Sequence, residues 1–157
     1  LSFLGAVEEV TGSNFLVESL NGTPGKYLVD CGLYQGGRIC NPDNSNPFPF
    51  DPKTIDILFI THAHLDHVGR IPHLVKAGFK GKIYSTPPTR EIGELQLIDS
   101  LGVLEKEAKR HNCEILYSEA DVAKAMAFWQ TADYHEPIEV GEKLLARGGW
   151  SVGKHGP

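Results

Sequence analysis

A chain of 157 residues and 17.2 kDa, 41% hydrophobic and 22% charged, has the profile of one soluble domain with its own core, which excludes disordered, collagen-like and disulfide-dense classes. The formal net charge of -5 argues against a basic nucleic-acid-coating protein, although it leaves room for a local positive groove. The most apolar run, Ile57-Leu58-Phe59-Ile60, is strand-sized and far short of the ~20 residues a membrane helix needs, so no membrane contact is expected. Cys31, Cys40 and Cys113 have neither zinc-ribbon nor CxxC spacing, which points to a reducing, cytoplasmic setting rather than a disulfide framework.

The first elements are β-rich. Leu1 to Leu4, Asn14 to Leu20 and Lys26 to Asp30, the last two separated by the turn Asn21-Gly22-Thr23-Pro24-Gly25, predict consecutive antiparallel strands. From Leu33 to Lys53 the composition shifts to Gly, Asn and Pro with Phe48 and Phe50 interleaved, which predicts a long functional or mobile loop. A strand follows over 55–61. After His67 the pattern turns helical, with Val68, Ile71, Leu74 and Val75 on one stripe and Gly78 as the stop. Lys82 to Ser85 predicts another strand. Thr86-Pro87-Pro88 opens a helix whose stripe is Ile92, Leu95, Ile98, Leu101 and Leu104, with Gly93 and Gly102 making its length uncertain. Ser118 with Asp121 resembles a capping box before a shorter helix with Val122, Ala125, Met126 and Trp129 inward. Strands, a strand–loop–helix unit and then strand–helix repeats predict an α/β layered domain with a mixed β-sheet and flanking helices.

The chemistry concentrates in Thr61-His62-Ala63-His64-Leu65-Asp66-His67, where the apolar strand ends and a helix begins. Side chains two apart in an extended loop point the same way, so His62 and His64 can converge on one metal ion while the turn aims Asp66 and His67 at a second. Imidazole and carboxylate donors without thiolate suit Lewis-acidic zinc. The start of the helix would also favour an anion beside Asp66 and His67. A purely structural zinc site is the rival reading of the same residues.

His62-Ala-His64-Leu-Asp66-His67 is the HxHxDH signature of the metallo-β-lactamase superfamily. Leu1 to Asn14, Leu28-Val-Asp30-Cys-Gly32, Gly69-Arg-Ile-Pro72, Thr86-Pro-Pro-Thr-Arg-Glu-Ile, Tyr117-Ser-Glu-Ala-Asp-Val and Tyr134-His-Glu-Pro-Ile-Glu-Val resemble its β-CASP branch of RNA-processing nucleases. The resemblance runs to about Leu144. It implies the N-terminal portion of an αββα sandwich, with His62 and His64 on one zinc, Asp66 and His67 on the other, and Asp30 as a supporting aspartate that orients the metal loop. It further implies a third histidine on the first metal, for which His155 is the candidate although its surroundings do not match, then a bridging aspartate, a last histidine and an inserted cap domain.

Residue 1 is Leu within an apparent strand, and Trp150 to Pro157 ends without a closing element, so residues 1–157 are expected to be the N-terminal part only of a metallo-β-lactamase domain. The activity implied is zinc-dependent hydrolysis of RNA phosphodiesters, with Asp66 orienting the attacking water and the chain alone inactive. A thioesterase or lactonase of the same superfamily, and a non-catalytic binding or scaffold domain, are the alternatives. His73, His111 and His135 are read as having no metal role, and Cys31 as a buried inert thiol.

Overall fold

Three short strands open the chain as the alternation predicts: β1 (Ser2–Gly5), β2 (Asn14–Glu18) and β3 (Lys26–Val29) pair antiparallel in chain order. The computed structural model describes residues 1–5, 11–18, 25–35, 42–140 and 144–147, so most of the expected 21–25 turn lies outside it. β3 pairs parallel with β4 (Ile57–Phe59), β4 with β5 (Lys82–Ser85) and β5 with β6 (Trp129–Thr131), completing a six-stranded mixed sheet in the order β1-β2-β3-β4-β5-β6. β4 is shorter than the predicted 55–61 because the Thr61 amide leaves the ladder and donates to Asp30 Oδ1 at 2.8 Å.

Parallel neighbours need crossovers, and helices supply two of them. After a one-turn helix α1 (Pro42–Ser45), α2 (Leu65–Val68) and α3 (Ile71–Lys76) link β4 to β5, and α4 (Pro87–His111) and α5 (Glu119–Phe128) link β5 to β6. The period of two splits the sheet into faces. Leu28, Leu58 and Ile83, all 0% exposed, join Val68, Ile71, Leu74 and Leu97 in the core on the helical side. Tyr27, Ile57, Phe59 and Tyr84 lie on the opposite face, where Ile138 of β7 (Pro137–Val140) packs; β7 pairs antiparallel with β8 (Leu144–Arg147). β6, β7 and β8 have no counterpart among the predicted elements. Trp129, read as the end of the α5 stripe, instead begins β6 and donates its indole N–H to Ser85 Oγ at 2.8 Å. The Ser118 cap holds: its amide and hydroxyl both donate to the Asp121 carboxylate, at 3.0 and 2.8 Å.

The 33–53 stretch is less free than its composition suggests. Among its described residues Phe48 joins the core, and the Asn44 side chain, 2% exposed, bonds both the amide and the carbonyl of Tyr34. The single helix expected after His67 is two, broken at Gly69-Arg70, because neighbouring segments use the groups a continuous helix would need. The Asp66 carbonyl accepts from Ser13 N, the His67 carbonyl from Cys31 N, and Arg70 N donates to the Cys31 carbonyl. Pro72 then has no N–H to offer Val68. A one-turn α2 carries little of the dipole invoked for an anion beside Asp66 and His67.

α4 runs unbroken through both glycines, and of the predicted stripe Leu101 and Leu104 face inward while its first three residues do not. Gly93, Leu97, Ser100, Leu101, Leu104 and Ala108 are buried, while Ile92, Leu95 and Ile98 are 50%, 68% and 52% exposed. Small residues occupy the core face because the helix lies close to its neighbours: Ser100 Oγ is 3.2 Å from the Tyr117 hydroxyl, and a Cβ on Gly93 would stand 2.9 Å from Trp129 Cη2. Gly102 has nothing within 4 Å. Gly102→Ala is therefore expected to raise stability by about 1 kcal/mol through helix propensity, whereas Gly93→Ala should lower it as the clash outweighs the same gain. Urea midpoints of the two variants, moving in opposite directions, check this.

Candidate metal centre

The site forms at the carboxyl ends of β3 and β4. Their parallel register, Val29 beside Phe59, sets Asp30 next to the start of the 60–67 segment, and the Asp30 amide donates to the Phe59 carbonyl at 2.8 Å. Asp30 sits at φ 60°, in the left-handed region where aspartate is one of the few tolerated side chains besides glycine. From there its carboxylate, 2% exposed as a residue, gathers three donors: Thr61 N–H on Oδ1, and the Thr61 hydroxyl and His67 Nδ1 on Oδ2, each at 2.8 Å.

The histidines are brought together. The rings of His62 and His64 have centroids 4.8 Å apart, and those of His62 and His67 are 3.8 Å apart. His67 Nε2 lies 3.5 Å from Asp66 Oδ2. Burial first, then the neighbouring His67 and His64 rings, lower the pKa of His62 against the opposing pull of Asp30 and Asp66. The neutral ring that this favours is the form that carries a lone pair for a metal.

A lattice of backbone bonds beneath the loop fixes its shape. Ser13 N donates to the Asp66 carbonyl at 2.9 Å, Cys31 N to the His67 carbonyl at 2.7 Å and Leu33 N to the Leu65 carbonyl at 2.9 Å, while Gly32 N reaches the Ser13 carbonyl at 3.0 Å. Gly32 is obligatory there, because a Cβ would overlap the Asp66 carbonyl and stand 2.7 Å from His67 N. Ser13, Gly32 and Thr61 are thus parts of the site to which sequence reasoning assigned no role. The one local signal was a hydroxyl residue immediately before His62.

Cys31 is fully buried and burial pushes its thiol up to about 12, so it stays protonated beside the loop and offers no thiolate. Cys113, by contrast, is disulfide-bonded, which departs from the expectation of cysteines outside any disulfide framework. His155 lies outside the described residues. The other histidines sit elsewhere: His73 is tilted against Phe48 with Nδ1 3.3 Å from the Leu116 carbonyl, His111 Nε2 is 3.2 Å from Glu107, and His135 lies exposed in a turn.

Imidazoles and carboxylates, braced from behind by hydrogen bonds, have the chemistry of a borderline-soft cation site. Among the described residues no three of the His, Cys, Asp and Glu side chains form a group that could hold a metal ion. His62, His64, Asp66 and His67 offer nitrogen and oxygen donors of the kind such a cation takes.

The parallel strand ends thus carry a histidine–aspartate loop, braced by an aspartate from the next strand. The chain matches the family described as the metallo-beta-lactamase superfamily over residues 8–152 and belongs to it. It is 39% identical over 144 residues to a ribonuclease of Thermus thermophilus, covering 92% of this chain and 30% of that protein. It is 36% identical over 147 residues to the transcription termination factor FttA of Methanosarcina mazei, covering 90% and 21%. With cleavage and polyadenylation specificity factor subunit 3-I of Arabidopsis thaliana it shares 33% identity over 140 residues, covering 87% and 19%. These relatives agree with the resemblance to the β-CASP branch, and the chain spans less than a third of the length of each. Among the described residues no helix is long and apolar enough to cross a membrane.

Proposed function

We propose that the 61–67 loop supplies part of a dinuclear zinc centre and that the protein carrying this chain hydrolyses RNA phosphodiesters in the cytoplasm. The observation that carries the reading is the Asp30 carboxylate, held against both Thr61 and His67 where it can brace the loop. In the proposal residues 1–157 are the N-terminal part of the catalytic domain. The RNA substrate and the cytoplasmic setting rest on the relatives' names, not on the cysteines.

His62 and His64 would hold one zinc and Asp66 and His67 the other, with His155 as a further ligand of the first. Bound there, the cations would supply Lewis acidity and lower the pKa of water toward ~7. Asp66 has a second task, since its carboxylate oxygens can accept a hydrogen from the attacking water and so aim its lone pair at phosphorus. Asp30 keeps His67 from turning away. A thioester or lactone would need the same donors, and the RNA reading is preferred because each of the three relatives is named for RNA cleavage, transcription termination or polyadenylation.

Two cations each taking about four ligands need more donors than these four residues provide. The 157-residue chain alone is therefore expected to be a poor nuclease. The test incubates it with zinc and labelled single-stranded RNA beside the longer protein that contains it. Cleavage by the longer protein, abolished by His64→Ala, with the short chain at least about tenfold slower, is the expected result. Turnover of a thioester but not RNA by the longer protein would overturn the substrate. Equal turnover by the short chain would overturn the ligand count.

A further inference from the structure

Thr61 occupies a position from which one hydroxyl group decides the protonation pattern of a histidine. Its Oγ1 lies 2.8 Å from Asp30 Oδ2 and 3.0 Å from His62 Nδ1. A threonine hydroxyl has a single hydrogen and two lone pairs, and a carboxylate only accepts. The hydroxyl hydrogen is thus committed to Asp30, and toward His62 the same oxygen can only accept. The hydrogen in that second bond must come from the ring.

We infer that Thr61 is a positioning residue: its hydroxyl, oriented by Asp30, selects the Nδ1–H tautomer of His62 and leaves Nε2 as the lone pair offered to a cation. The inference deepens the proposed metal centre and rests on that reading for its purpose, but the tautomer itself is a property of the metal-free chain. A histidine side chain free in water favours the opposite tautomer, with hydrogen on Nε2. Without Thr61 the ring would therefore have to give up that hydrogen or turn over before binding. His67 is set the same way by direct donation from Nδ1 to Asp30 Oδ2, so one carboxylate fixes two rings, one directly and one through Thr61. The Thr61 amide on Oδ1 stops the carboxylate from rotating out of this arrangement.

Three forms of the protein test the inference: wild type, Thr61→Val, which keeps the β-branched shape without the hydroxyl, and Thr61→Ser, which restores it. In the metal-free chain at about pH 8, above the ordinary imidazole pKa of ~6.5, long-range ¹H–¹⁵N spectra report which ring nitrogen of His62 carries hydrogen. The expected result is Nδ1–H in wild type and Thr61→Ser, with Nε2–H gaining population in Thr61→Val. Zinc affinity, read by competition with a chelating dye, should fall about 10–100-fold in Thr61→Val and recover in Thr61→Ser. Nε2–H in the wild-type protein overturns the inference even if Thr61→Val does not fold, and so does an unchanged Nδ1–H tautomer in a folded Thr61→Val. Should wild type show Nδ1–H yet take up no zinc, the tautomer assignment survives and the metal reading falls.

Discussion

Asp30→Ala is expected to cost on the order of 3 kcal/mol of folding stability and about 10–100-fold in zinc affinity. The substitution removes the acceptor of three donors at once, the Thr61 amide, the Thr61 hydroxyl and His67 Nδ1, in a place where Asp30 is only 2% exposed. Each buried donor left unpaired costs roughly 1–3 kcal/mol, and water entering the space of the lost carboxylate recovers part of it. Alanine also tolerates φ near 60° less well than aspartate does. Asp30→Asn should fall between, since asparagine accepts the left-handed backbone and keeps one acceptor oxygen while turning an N–H₂ toward the remaining donors. Urea midpoints and zinc competition measure both effects. Wild-type values in Asp30→Ala would retire the bracing role.

Gly32→Ala is expected to distort the 65–67 turn and to destabilise by about 1–3 kcal/mol, at the upper end of the range for overpacking. The new Cβ would overlap the Asp66 carbonyl and approach His67 N, both backbone atoms, so no rotamer change can make room. Moving the turn means breaking the bonds from Ser13, Cys31 and Leu33 to the carbonyls of residues 66, 67 and 65. The variant should therefore lose hydrogen-exchange protection at the Cys31 and Leu33 amides as well as stability. Protection kept at wild-type level in an equally stable variant would contradict the close approach.

What could be read from the residues follows how local its cause is. The β1–β3 meander, β5 and the Ser118–Asp121 cap depend on alternation, turn residues and near neighbours, and they appear where the pattern places them. The cluster from His62 to His67 was legible because its members are adjacent in the chain. The break between α2 and α3 was not, since it depends on Ser13 and Cys31 arriving from distant segments to occupy helix carbonyls. The first half of the α4 stripe departs from the pattern for a related reason, while Leu101 and Leu104 follow it. Counting large apolar residues favours Ile92, Leu95 and Ile98, whereas the close approach of Trp129 and Tyr117 puts Gly93 and Ser100 inside. The long 33–53 stretch has loop-like composition, yet among its described residues Phe48 joins the core and Asn44 bonds Tyr34 across the stretch. Thr61 and Gly32 are invisible as site residues until the strands that carry Asp30 and the metal loop are seen side by side.

The most direct test of the account is a zinc titration of the ¹⁵N-labelled chain followed through its imidazole nitrogens. The Nε2 signals of His62 and His67 are expected to move with zinc while their Nδ1 atoms stay protonated, the His64 ring to respond with them, and His73, His111 and His135 not to move. Zinc that shifts only those three histidines, or that deprotonates Nδ1 of His62 or His67, would contradict it.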